Sequence, residues 1–157
     1  MTGESYNVRP VGKIVVRGTP IMQAEKVLDE GAVAGMLVAV NGNDYHVKKC
    51  TAAANPCGWI SFEHTDYKVR PSAYETPFLQ NDTVTVVSGG SFEIYALASA
   101  GESAPLSITE GDPLVPADGG YLTACTAGSS VRPVALAAES VTVPAGAVGR
   151  IHVISTI

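Results

Sequence analysis

Two six-residue stretches, LVAVNG at 37–42 and LVPADG at 114–119, constrain the fold more than any other feature of the chain. Both place an apolar pair two residues ahead of an Asn-Gly or Asp-Gly step. Such steps readily adopt the positive φ angles of a type I′ turn, whose twist suits two antiparallel strands. Each stretch therefore predicts a β-hairpin corner, with Leu and Val on the incoming strand and Tyr45 or Tyr121 on the outgoing one. Four matched positions fit an internal duplication and fit coincidence as well. Neither copy contains a reactive group, so the motif describes architecture.

The rest of the chain is punctuated in the same way. It holds 16 Gly and 10 Pro in 157 residues, with 16% charged residues, a composition too apolar for wholesale disorder. Few periodic stretches are left from which to build helices. Residues 22–32 have helix-like composition, but Gly31 and Gly35 close the run, leaving either a short helix or a strand with a bulge. MLVAV, the Asn41-Gly42 turn and DYHVKK read as one hairpin. GWISFE alternates Trp59, Ser61 and Glu63 against Ile60 and Phe62, the pattern of a half-buried strand.

Residues 64–83 form a long connection expected to pack Tyr67, Val69, Tyr74 and Phe78 onto the body or a neighbour. TVTVVSGGSFEIYALAS reads as a second hairpin turning at Gly89-Gly90. The short runs from 100 to 125 have the rhythm of a wound barrel or sandwich. VRPVALAAESVTV predicts one or two more strands. RIHVISTI predicts a closing strand with Ile151, Val153, Ser155 and Ile157 on one face, built into the sheet. The expected fold is all-β: a small sandwich or barrel of short antiparallel strands in a single domain, residues 21–157, preceded by an extended N-terminal arm, residues 1–20.

Charge is distributed unevenly. Residues 1–20 carry +2 and residues 71–157 carry −6, within a net charge of −5. An acidic body repels nucleic-acid phosphates, so no nucleic-acid partner is expected. The N-terminus lacks the basic-then-apolar pattern of a secretion signal, and the longest apolar run, GAVAGMLVAV, is too short to span a bilayer, so no membrane is expected either. Three cysteines, an odd number, fit reduced thiols better than a disulfide framework.

The search for chemistry returns little. Cys50 and Cys57 between His46 and His64 lack the close paired spacing of a zinc knuckle. Cys125 reads as a small buried hydrophobe. His46 and His152 fall in strand patterns without a partner motif and read as structural or surface histidines. No nucleophile elbow, phosphate-binding glycine loop or calcium loop is present. No enzyme activity and no cofactor are expected. An inert β body with a basic arm can act by strand addition, and Val8, Arg9, Val11, Lys13, Ile14 and Val16 are the candidate contacts. The plainer alternative is that these residues pair within their own domain.

One resemblance bears on this. AEKVLDEGAVAGMLVAVNG, NDTVTVV, the long EIYALASAGESAPLSITEGDPLVPADGGYLTA and the R-I-x-V ending together resemble the head decoration or capsid cement proteins of tailed bacteriophages and related proviruses. The matching positions include Tyr95, Ala96, Leu97, Ala100, Gly101, Ile108, Gly111, Asp112, Leu114, Gly120 and Leu122, and the likeness extends over residues 22–157. Pro113, Pro116 and the cysteines depart from the pattern, and the prolines put the strand near 113–116 in question. The resemblance implies a virion structural protein on the outer capsid surface, made in the host cytoplasm. It would act as a homotrimer that clamps the major capsid protein, with the arm joining a capsid sheet. A carbohydrate- or host-surface-binding module is the alternative, with Trp59, Tyr67 and Tyr74 as candidate aromatics. A metal enzyme using His46 and His64 is a more distant one.

Overall fold

In the computed structural model, residues 14–61 and 77–157 are described, and they contain strands and turns but no α-helix. The fold is all-β. The first strand, β1 (Val15–Arg17), precedes β2 (Met22–Leu28), β3 (Leu37–Asn41), β4 (Asn43–Lys49), β5 (Gly58–Ile60) and β6 (Thr83–Ser88). Strands β2 to β6 close into a five-stranded barrel in the order β2-β4-β3-β5-β6. The ambiguous run at 22–32 is thus a strand, in which Met22 to Val27 pair antiparallel with β6.

The chain then continues through β7 (Phe92–Ser99), β8 (Leu106–Ile108), β9 (Pro113–Ala117), β10 (Tyr121–Ala124), β11 (Ala135–Ala137), β12 (Val141–Val143) and β13 (Val148–Ser155). Here the order is β1-β7-β10-β9-β11-β13, and a further pairing of β13 with β7 closes the last five into a second ring. Strands β8 and β12 form a separate antiparallel ribbon.

The two rings share one topology. With β2, β3, β4, β5 and β6 matched to β7, β9, β10, β11 and β13, the neighbours agree around the circle. The first strand is parallel to the third in both, β2 with β4 and β7 with β10, and every other pair is antiparallel. The parallel bridges Leu28↔Val47 and Ala98↔Leu122 fix the alignment. It sets Met22↔Ser88 on Phe92↔Ser155, and hence TVTVVS at 83–88 on RIHVIS at 150–155. LVAVNG and LVPADG turn the matching hairpins β3–β4 and β9–β10. The hairpin recurs in the topology, but the two stretches are one residue out of register. Leu37 faces Trp59 while Pro113 faces the matching Leu136, so Val38 takes the place of Leu114. Neither Asn41 nor Asp118 takes the positive φ that a type I′ turn requires.

Three other local expectations need correcting. Gly89-Gly90 does not turn a hairpin: both glycines have positive φ, 82° and 77°, but β6 pairs with β2 and β5 while β7 pairs with β1, β10 and β13. The step hands the chain from one barrel to the next. The GWI strand is not half-buried, since Trp59 and Ile60 are both fully buried, one side of β5 facing its barrel and the other the second barrel. Cys125 lies just past β10, half-buried rather than in the core. The strand near 113–116 does form: β9 keeps both prolines, with Pro113 at its first position, where a ladder donor is dispensable, and its carbonyl accepting from Cys125 N at 3.2 Å. The C-terminal strand is paired along its whole length, and Ile151, Val153 and Ser155 face the interior.

One continuous apolar cluster spans both barrels, from Leu28, Val47 and Val86 to Ile94, Leu122 and Val153. Polar ties reinforce the junction. Trp59 Nε1 donates to Ser155 Oγ at 2.9 Å, and that hydroxyl donates on to Ile157 O at 3.1 Å. Arg150, 2% exposed, donates through one guanidinium nitrogen to Ala34 O at 2.9 Å and Tyr95 O at 3.0 Å. Gly35 (φ 88°) lets the loop approach: a Cβ there would stand 2.4 Å from Tyr95 O and 2.5 Å from the guanidinium. Phe78 exchanges backbone hydrogen bonds with Ala32, at 2.7 and 3.1 Å, so the end of the 64–83 connection is stitched onto the first barrel. Tyr67, Val69 and Tyr74 lie outside the described residues.

Candidate functional site

Of the six arm residues, Val8, Arg9, Val11 and Lys13 lie outside the described residues. The other two sit in the body. Ile14 is 1% exposed in the core, its carbonyl accepting from Tyr95 N at 3.0 Å, and Val16 lies in β1, which runs antiparallel to β7. Strand addition therefore occurs inside the molecule: β1 occupies the edge of β7 beside Glu93 and Ile94, next to the point where β10 pairs at Ala98.

Side chains on the outer face lock this strand in place. Arg17 Nε lies 3.1 Å from Glu93 Oε2, and His152 Nε2 lies 3.5 Å from Glu93 Oε1. The imidazole packs at a tilt on Tyr95, with ring centroids 5.4 Å apart. Beside them an open depression of about 360 Å³ runs between Arg17, Ser91, Phe92 and Ile154. Arg17 is largely solvated, so its ion pair contributes little stability but fixes register. A carboxylate between an arginine of β1 and a histidine of β13 ties the two strands to β7.

The groups weighed for chemistry fall into two clusters, one around Asp29 and one around Cys50. His46 Nδ1 meets Asp29 Oδ1 at 2.7 Å, and Asn41 Nδ2 donates to Asp29 Oδ2 at 2.6 Å. The His46 hydrogen bond, followed by that of Asn41, holds the Asp29 carboxyl below its ordinary range. This trio ties the first hairpin turn to the end of β2. Burial, with Cys57 close by, pushes the Cys50 thiol up to about 11, and burial also raises Cys57. Metal ligation and nucleophilic attack both need the thiolate, which these environments disfavour. Among the described residues no three His, Cys, Asp or Glu side chains gather to hold a metal ion, and His64 is not among them. Trp59 is fully enclosed and cannot stack on a sugar, whereas Tyr45, 74% exposed, is an outward-facing aromatic that sequence reasoning passed over. Its place on the outgoing strand after Asn41-Gly42 was the available signal.

No known family model matches the chain, and no curated protein matches its sequence. The residues that carry the resemblance to phage decoration proteins are structural in kind. Leu114 and Leu122 are fully buried facing strands of the second barrel, and Gly111 and Gly120 take positive φ at its turns.

Proposed function

We propose that the protein is a capsid decoration protein, binding the outside of an assembled icosahedral shell and stabilising it as a trimer. The observation that carries this reading is a double barrel whose β7 edge is already completed by a short strand next to the N-terminal segment. Residues 8–13, directly before that strand, would extend the same mode of pairing to a sheet edge of the major capsid protein. Main-chain hydrogen bonds give such contacts affinity, and alternate side chains give them register. A ligand that binds the assembled shell and not its loose subunits stabilises it in proportion to the logarithm of concentration over dissociation constant. Three linked copies turn weak contacts into avidity.

The test is co-sedimentation of purified protein with bare expanded capsids of the virus that encodes it, comparing the full chain with one lacking residues 1–13. A deletion reaching residue 20 would also remove Ile14 and β1 and confound binding with folding. Binding by the full chain that is lost on the shorter deletion supports the proposal. A full chain that stays in the supernatant overturns it.

A further inference from the structure

A second depression, about 370 Å³ in volume, opens where the two barrels meet. The loop between β4 and β5 supplies Ala54, Asn55 and Pro56 to its wall, and the second barrel supplies Pro116 of β9 with Arg132 and Val134 of the segment before β11. Its volume falls within the range of about 300–1,000 Å³ typical of ligand pockets, which favour the seam between two packed units. Pro116 and Val134 are buried, whereas Asn55 and Arg132 are exposed, so the depth of the pocket is apolar and its mouth polar.

Both walls are held by main-chain hydrogen bonds. In the loop, Ala54 N donates to Thr51 O at 3.2 Å and Cys57 N to Val38 O at 2.8 Å. Opposite, Val134 N donates to Leu114 O at 2.9 Å, and Thr156 N to Val134 O at 2.9 Å. The lining is stiff as well, because proline rings have no rotamer freedom to lose and valine has little. A ligand entering such a site pays little to order it.

The polar groups at the mouth are placed by the sequence. Asn55 and Arg132 each directly precede a proline, Pro56 and Pro133, which biases their backbone to the extended region. Residues 71–157 contain two bases, Arg132 and Arg150, against eight acids. The Arg150 guanidinium is buried against Ala34 O and Tyr95 O, so Arg132 is the base this half of the chain presents to a ligand. Two acceptors near the pocket are engaged by protein donors: Asp118 Oδ1 accepts from Ala52 N at 2.9 Å, and Ile157 O from Gly89 N at 2.9 Å. We propose that this junction pocket binds a small apolar carboxylate, its body against Pro56, Pro116 and Val134 and its charge on the Arg132 guanidinium. The planar fork of arginine matches a carboxylate bidentately, and the Asn55 amide offers a further donor. The inference goes beyond capsid binding and does not depend on it.

The experiment is an amide chemical-shift titration of the full chain with naphthoate and, separately, with its uncharged amide, naphthamide. The parent is compared with Arg132→Gln, with Ala54→Leu, which narrows the pocket, and with Arg17→Gln, which removes an exposed base at the other depression; thermal melts check that each variant folds. Naphthoate should shift the signals of Asn55, Arg132 and Val134. Arg132→Gln should weaken naphthoate about 10-fold, the loss of a charge-assisted hydrogen bond, and leave naphthamide unchanged. Ala54→Leu should weaken both, and Arg17→Gln neither. A full chain that shows no shifts at about 5 mM naphthoate, above the roughly millimolar Kd expected of so small a ligand, would overturn the inference. So would shifts centred elsewhere, or equal losses in Arg132→Gln and Arg17→Gln. Capsid co-sedimentation bears on the decoration reading alone, so the two can fail separately.

Discussion

The hairpins β3–β4 and β9–β10 begin from nearly the same six residues and end in opposite surroundings. At the tip of the first, a Cβ added to Gly42 would meet nothing within 4 Å. The tip of the second is inserted into the base of the first: Leu37 N donates to Gly120 O at 2.9 Å, Gly120 N to Cys50 O at 2.8 Å, and Ala52 N to Asp118 Oδ1 at 2.9 Å. One turn sequence serves once as a corner held to the end of β2 through Asn41 and Asp29, and once as the plug between two barrels. The topology recurs, but the surroundings of the two corners diverge.

The largest effect expected from that divergence lies at the ring position opposite β6 in one barrel and β13 in the other. Trp59 stands across from Val87 and is fully buried, whereas Leu136 stands across from Ile154 and is 38% exposed. Trp59→Ala removes a large buried side chain and one partner of Ser155, and should lower unfolding free energy by about 4 kcal/mol in denaturant titrations. Leu136→Ala should cost about 1 kcal/mol or less, as partly exposed sites do. Equal losses would mean that the barrels contribute symmetrically and that β5 is not the interface strand described above.

A smaller contrast is expected at the two turns. Gly120 has φ 79°, and a Cβ there would lie 2.9 Å from Leu37 O, a backbone atom that cannot swing aside. Gly120→Ala therefore combines left-handed strain with a steric push on the junction, for a loss of about 3 kcal/mol. Gly42→Ala, at φ 85° in open space, should lose only about 1 kcal/mol. A thermal-melt comparison reads the difference directly, and indistinguishable variants would refute the plug.

The all-β class and both Asn/Asp-Gly hairpins were legible because their signals are local: β-branched alternation, then a pair that tolerates positive φ. Gly89-Gly90 sends the same local signal, yet the strands on either side join different barrels. Where Ser88 and Phe92 find partners depends on residues 22 and 155, far away in sequence. The likeness of TVTVVS to RIHVIS also escaped notice, because it becomes visible only once both strands are known to close a ring against a strand parallel to the third. A short strand before residue 20 was legible, but not its partner: Ile14 and Val16 read as contacts for another protein, whereas Ile14 fills the protein's own core and Val16 lies in a strand paired with β7, the plainer alternative. Burial on both faces of β5 likewise follows from a second barrel that no periodicity within GWISFE can reveal.

The smallest effect expected concerns the lock that only the first barrel carries. Asp29 follows Leu28, and the matching residue after Ala98 is Ser99, whose hydroxyl among the described residues reaches Ala100 O at 3.5 Å. Because His46 and Asn41 hydrogen-bond the ionised Asp29 carboxylate, its folded pKa lies below the unfolded value near 3.8. The unfolded state then binds the proton more readily, so the stabilisation is fully present above that unfolded value and is lost as pH falls through the lowered folded one. The melting temperatures of the parent and an Asp29→Asn variant should differ most near neutrality and converge as the solution is acidified below about pH 4, where unfolded carboxylates protonate. Ser99→Ala should give a gap that does not change with pH, since no titrating group is removed. An Asp29→Asn gap equally constant from neutrality to pH 3 would mean that the Asp29 charge contributes nothing to holding the first turn against the end of β2, and that the hydrogen bonds of Asn41 and His46 act there through shape alone.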